Sequence, residues 1–141
     1  RPDAPEQTAQ RQALIARAED GQLETIMREI APRLLHPLHK GDQTLIEVQV
    51  RMGLDVGAAG FVRQQRAIIG RPDSRPDLPG IRVPTLVLVG DRDPLTPPIR
   101  AREMADALPD AQLVIVPGCG HASTLEQPDA VNAALLEWLE A

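Results

Sequence analysis

Residues 82–98 read Arg82-Val83-Pro84-Thr85-Leu86-Val87-Leu88-Val89-Gly90-Asp91-Arg92-Asp93-Pro94-Leu95-Thr96-Pro97-Pro98. Leu86 to Val89 is an unbroken apolar run, entered through Pro84 and left through Gly90. That is the pattern of a short parallel strand buried on both faces. A tight polar turn carrying Asp91 and Asp93 follows, and the Pro97-Pro98 pair opens a helix. Further along, Gln112-Leu113-Val114-Ile115-Val116-Pro117-Gly118-Cys119-Gly120-His121 repeats the design with a histidine at its end. One predicted strand delivers an acid and the next a histidine, at the carboxyl ends where a parallel sheet presents its loops.

The pair of turns resembles the C-terminal half of the α/β-hydrolase fold, in which nucleophile, acid and histidine follow in that chain order. Gly90-Asp91-Arg92-Asp93-Pro94-Leu95-Thr96-Pro97-Pro98 is similar to the family's acid turn, whose second aspartate is the triad member. Gly118-Cys119-Gly120-His121-Ala122-Ser123-Thr124-Leu125-Glu126-Gln127-Pro128 is similar to its histidine loop. The resemblance covers essentially the whole chain and implies an α/β protein: a helical cap plus the last two parallel strands and their helices, with the N-terminal half of the sheet missing. It also implies that Asp93 and His121 are catalytic. One departure stands out. The nucleophile belongs in a Gly-x-Ser-x-Gly turn before the acid. The serines are Ser74, in Arg-Pro-Asp-Ser-Arg, and Ser123, after the histidine, and neither has that setting. The nucleophile is therefore expected outside this chain.

Length and composition set the frame. The 141 residues suit a single domain of ordinary size, and 43% apolar residues suffice for a core. A first residue of Arg1 suggests a processed chain or a piece of a longer one. A net charge of -5 argues against nucleic acid or an anionic membrane as partner. No apolar run approaches a membrane span and Arg1 to Gln12 is not a signal peptide. The lone Cys119 allows no internal disulfide, so a reducing cytoplasm is expected.

Residues 1–70 read as helical and, by the resemblance, as the cap. Pro5 to Asp20 stops at Gly21, and Gln22 to Leu35 carries the stripe Leu23, Ile26, Met27, Ile30 and Leu34 until Pro32 ends or kinks it. Asp42 to Gly53 is ambiguous. Ile46, Val48, Val50 and Met52 alternate as in a strand, while Leu45, Val48, Gln49 and Met52 form a weaker helical face with Asp42 as N-cap. By period this is a strand; the resemblance implies a helix. Asp55 to Ile69 is a further helix with a weak start, in which Gly57, Ala58 and Gly60 would permit close approach to a neighbour. Residues 71–80 form a turn-rich connector to the sheet portion, 81–141. There, Pro98 to Leu108 is expected to bury Ala101, Met104, Ala105 and Leu108. The last helix, begun by Pro128, is expected to bury Val131, Ala134, Leu135, Trp138 and Leu139.

A Ser-His-Asp system needs a histidine as base and an acid on its far nitrogen to fix the tautomer. His121 and Asp93 fit those roles, and Asp91, directly after Gly90, fits a turn residue. Cys119 lies beside His121 but lacks an activating group and reads as a small loop residue. His36 and His39 lack a third ligand nearby in sequence, so no metal is expected, and no cofactor. Glu126 reads as support for the start of the last helix. Arg63, Arg66, Arg71 and Arg75 read as a solvated or salt-bridged face, with an anionic substrate as the alternative.

The functional expectation is a serine-type hydrolase of a small ester, lactone or related acyl compound, inactive as the isolated chain. Two alternatives stand: a non-catalytic binding or scaffold protein of the same fold, and a dehalogenase or carbon–carbon hydrolase. Two short apolar strands cannot satisfy a parallel sheet alone. The free edge of Thr85–Val89 is therefore expected to pair with the missing N-terminal half or with a second copy of the chain.

Overall fold

The computed structural model describes residues 1–140, which form two compact units: residues 1–31 with 46–74, and residues 32–45 with 75–140.

The first unit is helical. Helix α1 (Pro5–Glu19) starts at a proline and ends as Gly21 turns back with φ 79. Helix α2 (Leu23–Ile30) yields to a 3-10 turn, Ala31–Leu34, where Pro32 lacks the amide that an α-helix would need. Helix α3 (Gln43–Ile69) settles the ambiguous stretch: it is helical, and the Asp42 carboxylate caps it by accepting from the Thr44 and Leu45 amides. The strand-like alternation misleads because Ile46 and Val50 are also four apart. They share a buried helical face with Gln49, and Val48 and Met52 are exposed, so the helical face is not the one expected. Helical geometry breaks at Gly57, whose φ of 73 and ψ of 165 fall outside it, near the weak start expected at Asp55. A Cβ at Gly57 would meet nothing, so close approach is not this glycine's role. Gly53 has that role instead, with the Met27 side chain filling the space a Cβ would take. The core joins Ala18, Leu23, Ile26, Phe61 and Val62. Asp3 is clasped by Arg11 and Arg71, and Arg66 pairs with Glu19.

The second unit holds a parallel sheet of strands β1 (Thr85–Gly90) and β2 (Ala111–Val116), paired from Thr85↔Ala111 to Gly90↔Val116. Helix α4 (Pro98–Ala107) makes the crossover and covers the face carrying Val87, Val89, Leu113 and Ile115 through Ala101 and Ala105. The short helix α5 (Ser123–Glu126) leads into α6 (Pro128–Glu140), which packs on both strands. Three expected burials fail. Met104 is exposed, and of the α6 stripe only Val131 and Ala134 are buried, while Leu135 and Leu139 face out. A sheet of two strands is too narrow to cover a helix along its whole length. Residues 32–45 belong to this unit, not with the first helices, because their backbone docks on the histidine loop.

Candidate active site

The acid turn and the histidine loop are fused through their backbones. Beyond the last rung, the Asp91 amide donates to Val116 O at 2.9 Å and the Arg92 amide to Cys119 O at 3.0 Å, extending the strand pairing into the loops. Gly90 is required here, since a Cβ would run into the carbonyl groups of Cys119 and Gly120. Asp91 accepts from the Cys119 amide at 3.0 Å. Hydrogen bonds from the Cys119 and then the Gly118 amide outweigh burial and hold its carboxyl below the usual range. Asp91 thus staples the two loops and does not reach the histidine.

Asp93 is the aspartate that does. Its Oδ1 accepts from the Leu95 and Thr96 amides, each at 2.8 Å, the Asx-turn that a short acid makes with its own backbone. Its Oδ2 accepts from Thr96 Oγ1 at 2.8 Å and lies 2.8 Å from His121 Nδ1. The side chain is only 5% exposed. Burial opposes the charged form, but the bonds from the Thr96 amide, the His121 imidazole, the Thr96 hydroxyl and the Leu95 amide prevail and keep the carboxyl below its ordinary range. An ionised carboxylate only accepts, so Nδ1 of His121 is the donor in this contact and Nε2 is the ring nitrogen left free of it. His121 keeps 36% of its side chain exposed, so a reactant has access to it.

The residues set aside from the sequence fall elsewhere. Cys119 is fully buried, and burial, with Glu126, Asp91 and Asp93 nearby, pushes its thiol up to about 11, which suits an inert packing residue. His36 accepts from the Leu38 amide through Nδ1, and its ring centroid lies 5.6 Å from that of His39. Among the described residues no group of three His, Cys, Asp or Glu side chains is placed to hold a metal ion. Glu126 corrects its expected role. Its carboxylate accepts from the His36 amide at 2.7 Å and the Gly120 amide at 2.9 Å, and lies 2.9 Å from His39 Nδ1. Thr96 has a signal in the sequence, since its position three residues after Asp93 is the spacing of such a turn. The contribution of residues 34–36 had no signal to find, because it is made by backbone atoms.

A buried acid on the far nitrogen of an accessible histidine, both at carboxyl ends of adjacent parallel strands, is the geometry that the acid and base of a Ser-His-Asp system require. The profile of the TAP-like proteins, a group of α/β-hydrolases, matches residues 64–141. The chain belongs to the α/β-hydrolase family, and corresponds to the C-terminal portion of its fold. An esterase from Thermogutta terrifontis matches with a TM-score of 0.91 and 35% identity, over 99% of this chain and 52% of that one. The enol-lactonase of Burkholderia xenovorans LB400 matches with a TM-score of 0.85 and 25% identity, over 100% of this chain and 53% of that one. A non-heme haloperoxidase of Rhodococcus erythropolis is 39% identical over 100 residues, 70% of this chain and 36% of that protein. The chain spans about half the length of the two solved relatives. No helix among the described residues is long and apolar enough to cross a membrane.

Proposed function

We propose that this chain supplies the acid and the base of an acyl hydrolase acting on a small ester or lactone, with the nucleophile on residues outside 1–141. The 2.8 Å contact between His121 Nδ1 and Asp93 Oδ2 carries the proposal. Asp93 fixes the tautomer, and Nε2 of His121 takes the proton of the nucleophile as it attacks the acyl carbon and returns it to the leaving alcohol. The esterase and enol-lactonase likenesses suggest the substrate class. The helical unit is assigned as a cap. The partner is the other half of the sheet or a second copy of the chain: among the described residues the sheet has only β1 and β2, and a parallel pair leaves main-chain groups unpaired at its outer edges.

The test uses the full-length protein with a panel of short acyl esters and lactones, together with labelling by a fluorophosphonate. Turnover and labelling of a single serine, with turnover abolished by His121→Ala, are the expected results. Absence of both would favour a scaffold, and turnover untouched by His121→Ala would remove His121 from the chemistry.

A further inference from the structure

The Glu126 carboxylate is fully buried, yet it lies on no route from His121 to Asp93. Its two oxygens are divided between two segments far apart in sequence. Oε1 takes the Gly120 amide, next to the histidine; Oε2 takes the His36 amide and faces His39 Nδ1. Those same segments touch again. The His121 amide donates to Leu34 O at 2.7 Å, and a Cβ on Gly120 would lie 2.6 Å from the Leu35 carbonyl carbon and 2.7 Å from Leu34 O. The histidine backbone is thus gripped on both sides: by Leu34 O through its own amide, and by Glu126 through the amide before it. Glu126 also holds the segment that provides the first grip. A carboxylate suits this point because only an acceptor without protons can serve all these N–H groups at once.

We propose that Glu126 is the positioning residue of the catalytic base, fixing His121 by joining the Gly120 amide to the 34–36 backbone. Its importance for turnover rests on the reading of His121 as base, whereas its effect on His121 geometry does not. In Glu126→Gln the amide nitrogen must face either the Gly120 amide or the His36 amide, donor against donor. The histidine then drifts relative to Asp93 while the sheet below is untouched.

The experiment compares the full-length protein with Glu126→Gln and Glu126→Asp by two readouts. The first is the NMR signal of the His121 Nδ1 proton, with the amides of β1 and β2 as an internal control. The second is the separation of kcat from KM on a short ester. In Glu126→Gln the Nδ1 proton should exchange with water at least about tenfold faster, and kcat should fall about a hundredfold with KM nearly unchanged, the scale of a small misplacement of a catalytic group. Glu126→Asp keeps the charge on a shorter stem and should lie between. A folded Glu126→Gln with the Nδ1 proton and kcat both unchanged overturns the proposal. Loss of the folded state in both variants overturns it too, since Glu126 would then be a structural residue only. If His121→Ala keeps turnover while Glu126→Gln still loosens the Nδ1 proton, the positioning role stands and the assignment of the base falls.

Discussion

Asp93→Asn is the change whose outcome the structure fixes most tightly. The carboxylate accepts two backbone amides on Oδ1 and the Thr96 hydroxyl and His121 on Oδ2. An asparagine can be seated in two ways. With its oxygen at Oδ1 it keeps both backbone bonds, the Thr96 hydroxyl turns to accept, and the amide donates to Nδ1. His121 is then forced into the tautomer with its proton on Nε2, where it cannot act as a base. With the amide flipped, the productive tautomer survives, but the NH2 group faces the Leu95 and Thr96 amides. Each buried donor so stranded costs about 1–3 kcal/mol. The productive arrangement is therefore populated against roughly 2–6 kcal/mol, which predicts a loss of about thirtyfold to roughly 10⁴-fold in kcat/KM. The upper end is the size expected where an acid sets the tautomer of a catalytic histidine. The assay is ester turnover by the full-length protein, paired with nitrogen-15 shifts of His121 to read the tautomer. Asp91→Asn is the control: its amide oxygen can still accept from the Cys119 amide, so the loss should be about fivefold or less, near 1 kcal/mol. Equal losses at the two aspartates, or full activity in Asp93→Asn with the proton still on Nδ1, would refute the reasoning.

Gly120→Ala places a Cβ against the backbone of Leu34 and Leu35, which cannot rotate aside as a side chain can, and should lower stability by about 1–3 kcal/mol. A urea midpoint equal to that of the parent protein would show that the loops are not packed as described. Cys119, buried with its thiol raised, should resist iodoacetamide at pH 7 in the native state and react fully once the protein is denatured. Rapid labelling of the folded protein would contradict its assignment as packing.

The strands and their two turns were legible because their signals are local: an apolar run, a proline at one end and a glycine at the other. Asp93 and Asp91 were separable mainly through the resemblance, since position alone says no more than that Asp91, directly after Gly90, suits a turn. The stretch 42–53 was opaque because Ile46 and Val50 satisfy period two and period four together. The pattern of α6 says which residues share a face and not how far the neighbouring sheet extends. Leu139 and Leu135 lie on that face and stay exposed. Glu126 was hidden for a different reason. Two of its partners are main-chain amides, one of them at His36, ninety positions away, and a main-chain amide leaves no mark in a sequence.

Gly90 and Val116 share the last rung of the sheet, so acid and base are both measured from one common origin. The crossover through α4 enters neither measurement. Added or lost length between Pro97 and Pro109 can be taken up away from the site. One residue inserted at 91–92 or at 117–120 would instead push Asp93 or His121 out of reach by up to about 3.3 Å, the rise of a single extended residue. The placement of Asp93 and His121 is thus indifferent to how the chain travels from one strand to the next, and sensitive to how it leaves each of them.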